Sequence, residues 1–299
     1  MPEKVRELRV TLDGFESPEN VGIVLAEKLG YFAEAGLQVV FASPATPLRP
    51  VPYVVDGTDE IGISHEPEVI LAKERGAPIV AVGSLVSQPT AALVWTKRSQ
   101  IAGIADLKGK TIAIPGLSFQ KALLQSVLAR GGLTLADVKV LAVGYELAPA
   151  LISGRADATF GGSWIVEGPI LEGRGLTPVI TPVQTLGIPA YEELVVIARS
   201  DLFSEEPDVI RAFMSAVARG NAAAVEDPEG AVEALEESIG PVPRSAHEIE
   251  AAVRKALPFL STSPEIDPGS ANRLVNWMYD EGAIERKPSI SALLTNAAP

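Results

Sequence analysis

Apolar residues recur along the chain at two spacings, one typical of helices and one typical of buried strands. Val21, Leu25 and Leu29 repeat at helical spacing, whereas the β-branched run 38–41 predicts a strand. Other strand-like runs lie at 61–64, 79–85, 91–96, 111–114, 138–143, 158–161, 178–183 and 193–199. Helical patterns alternate with many of these runs and dominate from residue 206 onward. The chain therefore predicts an α/β protein built from parallel βαβ units.

The first strand ends at Leu12, and a polar loop, residues 13–20, connects it to the first helix. This order places the loop and a helix N-terminus at the carboxyl end of a strand. Open α/β sheets bind small ligands at such edges. The segment therefore predicts a ligand-binding function before any catalytic residue is considered.

A short internal similarity indicates two related lobes. Gly57 and Asp59 precede the strand at 61–64, and Gly154 and Asp157 precede the strand at 158–161. The spacing differs by one residue between the two copies. A chain of 299 residues is long enough for two such lobes, each with its own core.

Composition narrows the classes of function. With 47% hydrophobic and 21% charged residues, the chain is typical of a soluble globular protein. Its formal net charge of -13 opposes binding to nucleic acid or to anionic lipid. The absence of cysteine excludes disulfides, thiolate catalysis and cysteine-ligated metal sites. We therefore expect neither a nucleic-acid partner nor a cofactor.

Five segments, in order along the chain, resemble one family of binding proteins. They read LAEKLGYFAEAGLQV, DGTDEIGIS, DLKGKTIAIPGLSF, SGRADATFGG and PDVIRAFMSAVARGNAAAVEDPEGAV. Together they resemble the NMT1/THI5-like and SsuA-like solute-binding proteins of ABC importers. The later segment NWMYDEGAI resembles the members that bind pyrimidine precursors of thiamine.

The resemblance implies a periplasmic-binding-protein type II-like fold, with two α/β lobes joined by two crossing strands and a ligand cleft between them. We place the crossings near 91–95 and 189–196. The first lobe is then expected to comprise residues 1–93 plus 193–299, and the second residues 94–192. The lobes of such proteins close on the ligand by a hinge motion.

The implied function is that of a monomeric receptor that delivers a small molecule to an ABC permease. Met1 to Lys4 lack the apolar region of a signal peptide. An extracytoplasmic location, periplasmic or anchored as a lipoprotein, therefore assumes a leader that this sequence does not contain. The alternative is a cytoplasmic protein.

Polar and aromatic residues in the strand-end loops are the candidates for ligand contact. The predicted ligand-binding residues are Glu19, Asn20, His65 and Gln88 in the first lobe and Ser118, Trp164 and Glu167 in the second. Trp164 and Glu167 are three residues apart and would share one face of a helical turn. Such a pair suits a flat heterocycle, because the indole stacks on the ring and the carboxylate accepts from its amino group.

The acidity of these loops favours one class of ligand. They contain several carboxylates and no lysine or arginine. Like charges a few ångströms apart repel by on the order of 1 kcal/mol or more, so an anionic ligand is disfavoured. An aminopyrimidine precursor of thiamine is the best candidate. Riboflavin remains an alternative, as does a sulfonate or nitrate bound at the helix N-terminus near Ser118.

Four of the candidates also have a structural interpretation. Glu19 precedes a helix, where an acidic group interacts favourably with the helix dipole. Ser118 is a candidate N-cap, His65 a candidate hydrogen-bonded structural histidine, and Trp164 a candidate core residue.

An enzymatic alternative comes from the same resemblance. THI5-type pyrimidine synthases share the fold and carry a cysteine-rich motif and a lysine that holds pyridoxal phosphate. This chain has no cysteine, and its strand-end loops contain no lysine. Both departures favour binding over synthesis.

Overall fold

The computed structural model describes residues 5–42, 50–240 and 244–296, so the N-terminal residues Met1–Lys4 lie outside it. In the described residues the strands form two five-stranded sheets. The strands are β1 (Arg6–Thr11), β2 (Leu37–Ala42), β3 (Ile61–Ser64), β4 (Ile79–Val86), β5 (Ala91–Thr96), β6 (Thr111–Ile114), β7 (Lys139–Ala142), β8 (Ala158–Ser163), β9 (Pro178–Pro182) and β10 (Leu194–Arg199).

Helices connect the strands and make up nearly all of the C-terminal third. They are α1 (Val21–Lys28), α2 (Tyr31–Glu34), α3 (Pro50–Asp56), α4 (Glu66–Glu74), α5 (Ser118–Arg130), α6 (Leu147–Ile152), α7 (Trp164–Gly173), α8 (Ser200–Glu205), α9 (Pro207–Glu226), α10 (Pro228–Ile239), α11 (Ala246–Ala256), α12 (Pro268–Asp280) and α13 (Ile290–Leu293). No helix in the described ranges is both long and apolar enough to cross a bilayer.

The two sheets share one topology. Their strand orders are β2-β1-β3-β10-β4 and β7-β6-β8-β5-β9. In each sheet one strand runs against the others, namely β10 in the first and β5 in the second. The prediction of an α/β protein is confirmed. The predicted parallel arrangement does not extend to β10 and β5, which run antiparallel to their neighbours.

The chain divides into two compact units. The first comprises residues up to Gln88, Tyr191–Val275 and the residues from Arg286 onward. The second comprises Pro89–Ala190 and Asn276–Glu285. Each unit contains one of the two sheets. The chain therefore passes from one unit to the other four times: after Gln88, after Ala190, within α12 after Val275, and after Glu285.

Close packing of α1 on α9 helps to build the core of the first unit. The apolar face of α9, with Phe213, Met214 and Val217, is fully buried or nearly so. Gly22 and Gly220 lie where the two helices touch, and a Cβ atom at Gly220 would overlap the carbonyl oxygen of Gly22. The two helices approach this closely because neither residue has a side chain at the contact.

Candidate functional site

The carboxyl ends of the strands in the first unit form one polar edge. β1, β3 and β4 end there, and β10 begins there because it runs antiparallel to its neighbours. Val195 pairs with Ser64, and Leu194 pairs with Val86. The residues just before β10 therefore meet the loops after β1 and β3. We call this set of residues the acidic edge: Asp13, Glu19, His65, Glu66, Glu68, Tyr191, Glu192 and Glu193.

The loop after β1 is held in place by its own side chains. The backbone N–H of Ser17 donates to Asn20 Oδ1 at 2.8 Å, and the N–H of Glu19 donates to Ser17 Oγ at 3.3 Å. Asn20 Nδ2 donates to the carbonyl of Phe15 at 3.3 Å and to Asp13 Oδ1 at 3.5 Å. Asn20 is fully buried. Its observed bonds therefore order the loop that presents Asp13.

His65 supplies a positive charge at the acidic edge. Its Nδ1 lies 3.0 Å from both the carbonyl oxygen and Oε1 of Glu193, so this nitrogen is a donor. Burial opposes charging of the ring, but the hydrogen bond to Glu193 and the carboxylates of Glu193, Asp13 and Glu68 outweigh it and raise the pKa of His65 to about 9. His65 is therefore an imidazolium at neutral pH.

Two of the carboxyl groups beside His65 also have raised pKa values. Burial raises the pKa of Asp13, and the charge of His65 partly opposes that rise. Burial also raises the pKa of Glu68, whose Oε2 accepts from Ser64 Oγ at 3.0 Å. The protein thus concentrates acidic groups here against the cost of their desolvation.

Glu66 and Glu192 form a second, more deeply buried pair of carboxyl groups. Their exposed fractions are 2% and 7%. The backbone N–H of Glu192 donates to Glu66 Oε2 at 2.8 Å, and Ser84 Oγ donates to Glu192 Oε2 at 2.6 Å. Burial is the main reason that the pKa of Glu66 rises to about 8 and that of Glu192 to about 7. At neutral pH the pair therefore carries less than its full negative charge.

Tyr191 completes the acidic edge and is 2% exposed. Its hydroxyl donates to Glu193 Oε2 at 3.5 Å. Burial raises its pKa well above the usual value, and the charges of Glu193, Glu66 and Glu19 add to the rise. The phenol therefore stays protonated and remains the donor to Glu193.

These groups together favour a ligand that is rich in hydrogen-bond donors. The acidic edge offers carboxylate acceptors, one imidazolium and carboxyl groups that hold their protons near neutral pH. In the described ranges, no group of three or more acidic or histidine side chains is arranged so that it could hold a metal ion. The arrangement suits a neutral or amine-bearing ring.

The second unit has an edge of the same design. β6 and β8 end where β5 begins, and Ala91 pairs with Ser163. Gln120 links the loop after β6 to strand β8. Its Oε1 accepts from the N–H groups of Gly116 and Leu117 at 2.9 and 3.0 Å. Its Nε2 donates to the carbonyl of Gly161, within β8, at 3.1 Å. The loop after β6 is therefore fixed relative to β8.

Trp164 and Glu167 both lie in the first turn of α7. Trp164 is partly buried and packs against the apolar cluster that contains Leu171. Glu167 is 5% exposed, and Thr159 Oγ1 donates to its Oε2 at 3.1 Å. A Cβ atom at Gly162 would overlap Glu167 Oε1, so the carboxylate lies directly against the backbone of β8.

Two of the other predicted residues, Gln88 and Ser118, are exposed. Gln88 is an exposed residue two positions after β4. Ser118 is also exposed and is the first residue of α5, whereas Leu117 occupies the N-cap position. The interpretation of Ser118 as an N-cap is therefore wrong. Glu19, Asn20 and His65 lie near one edge of the first unit, while Ser118, Trp164 and Glu167 lie near one edge of the second.

The sequence analysis did not identify residues 191–193 or Arg244 as candidates for the site. The guanidinium of Arg244 lies over the ring of Phe15, with its central carbon 5.5 Å from the ring centroid. Burial lowers the pKa of Arg244. The absence of lysine and arginine from the strand-end loops therefore does not mean that no cation lies beside them, because Arg244 comes from a distant part of the chain.

Comparisons with known proteins place the chain in a family. The profile of the family described as NMT1/THI5 like matches residues 17–231. A formylaminopyrimidine-binding protein of Halalkalibacterium halodurans is 32% identical over 235 residues, which cover 78% of this chain and 71% of the relative. A putative thiamine biosynthesis protein of Haemophilus influenzae is 27% identical over 288 residues, covering 96% and 91%.

A third relative carries the name of an enzyme. The 4-amino-5-hydroxymethyl-2-methylpyrimidine phosphate synthase of Schizosaccharomyces pombe is 28% identical over 225 residues, which cover 71% of this chain and 64% of the relative. The relatives of this chain thus include proteins named as binders and proteins named as synthases.

Solved structures with the same fold include binding proteins and a desulfurization enzyme. The alkanesulfonate-binding protein SsuA of Xanthomonas axonopodis pv. citri has a TM-score of 0.76 at 17% identity, covering 97% of this chain and 98% of its own. The periplasmic aliphatic sulphonate binding protein SsuA of Escherichia coli has a TM-score of 0.72 at 18% identity, covering 99% and 93%. At these identities the likeness establishes the fold alone. The chain belongs to the NMT1/THI5-like family and has the periplasmic binding protein fold.

Proposed function

We propose that this protein is the solute-binding receptor of an ABC importer and that its ligand is an aminopyrimidine precursor of thiamine. The observation that carries the proposal is the acidic edge, where buried carboxyl groups surround a single imidazolium. Such a site matches the amino group and ring nitrogens of a pyrimidine better than it matches an anion. The relative named as a formylaminopyrimidine-binding protein supports the same ligand class.

The proposed mechanism is closure of the two units on the ligand. Binding energy shifts the population from an open to a closed form, and the permease recognises the closed form. The receptor acts outside the cytoplasm as a monomer. Small-angle X-ray scattering checks this mechanism, because closure reduces the radius of gyration when a saturating ligand is added. An unchanged scattering curve at saturation would argue against closure.

Titration calorimetry with a panel of ligands tests the ligand class. We expect 4-amino-5-hydroxymethyl-2-methylpyrimidine and its formylamino analogue to bind at least 100-fold more tightly than an alkanesulfonate, a difference of about 2.7 kcal/mol. Riboflavin is the second comparison ligand in the panel. Tighter binding of the sulfonate or of riboflavin would overturn the aminopyrimidine assignment.

Trp164 and Glu167 provide a test of the site in the second unit. We propose that the indole stacks on the ligand ring and that Glu167, with Glu19 in the first unit, accepts from its donors. Asn20, His65, Gln88 and Ser118 would add polar contacts. Trp164→Ala and Glu167→Gln should each weaken binding at least tenfold, about 1.4 kcal/mol.

Thermal unfolding of the same two variants separates lost contacts from lost folding, because both side chains also pack within the unit. Tyr279→Ala, at a residue that is 44% exposed, is the control. Wild-type affinity in both Trp164→Ala and Glu167→Gln would remove these residues from the site.

A synthase is the second candidate, because relatives with that name match much of the chain. We propose that this chain binds and does not synthesise, since it contains no cysteine and the acidic edge contains no lysine. An absorption spectrum of the protein with pyridoxal phosphate is the test. A stable aldimine band would contradict the proposal, whereas a spectrum equal to that of free pyridoxal phosphate would agree with it.

A further inference from the structure

The carboxyl group of Glu66 has one satisfied oxygen and one unsatisfied oxygen. The residue is 2% exposed and begins α4. Its Oε2 accepts the backbone N–H of Glu192 at 2.8 Å. Its Oε1 is buried and has no hydrogen-bond partner in the described part of the chain. Native proteins rarely leave a buried polar atom in this state without a functional or solvent-related reason.

The surroundings of Glu66 favour its neutral form. Glu192, which precedes β10, and Asp267, which precedes α12, both oppose a charge on Glu66, while the backbone N–H of Glu192 favours it. Tyr191 and the neighbouring Glu192 side chain, capped by Ser84, face the same region. Burial is the largest effect, and the pKa of Glu66 is about 8.

The hydrogen bond from Glu192 identifies which oxygen carries the proton. An oxygen that accepts an N–H acts as the carbonyl of a carboxylic acid, so the proton resides on Oε1. Oε1 is then a buried hydroxyl donor without an acceptor. Oε2 retains a second lone pair beside it. The acid thus presents an acceptor next to a donor.

This pattern is the complement of one edge of a 4-aminopyrimidine, where an amino donor lies beside a ring nitrogen acceptor. We propose that Glu66 binds the ligand as a neutral carboxylic acid, with Oε1–H donating to an unprotonated ring nitrogen and Oε2 accepting from the adjacent amino group. The inference rests on the proposed aminopyrimidine ligand. Because solvent does not reach Oε1 in this conformation, ligand entry must move a covering group.

Glutamine and alanine substitutions distinguish the neutral acid from a carboxylate. In Glu66→Gln the amide oxygen can still accept from Glu192 N–H, and the amide NH₂ replaces the Oε1–H donor. We expect calorimetry on the full chain at about pH 7 to give an affinity for the aminopyrimidine within about threefold of wild type. Glu66→Ala should bind the aminopyrimidine at least tenfold more weakly, a loss of about 1.4 kcal/mol.

The pH dependence gives a second readout. The neutral form is required for donation, so the affinity of wild type should fall as pH rises through about 8. Glu66→Gln cannot ionise and should remove that decline. His65, with a pKa of about 9, and Glu192, with a pKa of about 7, titrate nearby, so the comparison between wild type and Glu66→Gln isolates Glu66.

The outcomes separate this inference from the proposed function. If wild type does not bind aminopyrimidines, the proposed function fails. The inference fails if wild type binds and Glu66→Gln loses as much affinity as Glu66→Ala. It also fails if Glu66→Ala binds the aminopyrimidine with the affinity of wild type. An infrared difference spectrum of wild type minus Glu66→Gln at neutral pH needs no ligand. A protonated-carboxyl band supports the inference, and its absence overturns it.

Discussion

Replacing His65 with leucine is expected to destabilise the protein by about 3–5 kcal/mol, the typical cost of leaving buried charges unpaired. The imidazolium is paired with Glu193 at 3.0 Å and also stabilises the carboxylates of Asp13 and Glu68. Without it these acidic groups face one another in a poorly solvated edge. Urea unfolding at pH 6.5 measures the change. His247→Leu is the matched control, because His247 is an exposed histidine.

The same pair of proteins gives a pH test with a defined sign. The folded-state pKa of His65, about 9, lies above the ordinary value of 6.5. Its contribution to stability is therefore complete below about pH 6.5 and is lost as pH rises through about 9. The stability gap between wild type and His65→Leu should narrow over this window. A gap that stays constant with pH would contradict the assignment of a charged His65.

Gly220→Ala is expected to cost about 3 kcal/mol or more through overpacking of α1 against α9. The new Cβ would overlap the carbonyl oxygen of Gly22 and lie 3.0 Å from the backbone nitrogen of Ala26. Both contacts are with backbone, so no side-chain rotation relieves them and the helices must separate. Denaturant unfolding measures the loss.

Gly103→Ala provides the matched control for the same substitution. Gly103 has a φ of -169, which is extended backbone, and a Cβ atom there would meet nothing within 4 Å. Its stability should stay within about 1 kcal/mol of wild type, within the usual range for a tolerated substitution. Equal stability of Gly220→Ala and wild type would show that α1 and α9 are not packed as closely as described.

Local patterns predicted the strands well. The runs 61–64, 91–96 and 111–114 were predicted with the bounds that β3, β5 and β6 have in the structure. Each is a short, mostly apolar run bounded by polar or turn-forming residues, so sequence-local information sets both of its ends. The repeated pattern before β3 and β8 also has a structural counterpart, since these strands occupy equivalent positions in two sheets of the same order.

The direction of β10 was not predictable from such patterns. A strand's own residues set its burial, whereas its direction depends on partners far away in the chain. Because β10 is antiparallel, residues 191–193 lie beside His65 and Ser64, more than a hundred positions earlier. A search limited to residues that follow strands therefore found His65 and missed Glu193.

The candidate site in the second unit shows a different limit of prediction from sequence. The spacing of Trp164 and Glu167 correctly indicated one turn of helix. Spacing could not show that the Glu167 carboxylate lies against β8 and accepts from Thr159, because that depends on the sheet beneath the helix. The role of both residues in ligand binding stays a prediction.

The most direct test of the central claim is a crystal structure of the protein with 4-amino-5-hydroxymethyl-2-methylpyrimidine bound. The measurement is the distance from the pyrimidine amino and ring nitrogens to the carboxyl oxygens of the acidic edge. We expect at least one such distance to be about 2.7–3.2 Å, the range of an N–H···O hydrogen bond. A pyrimidine bound elsewhere, with no polar contact to the acidic edge, would contradict the assignment.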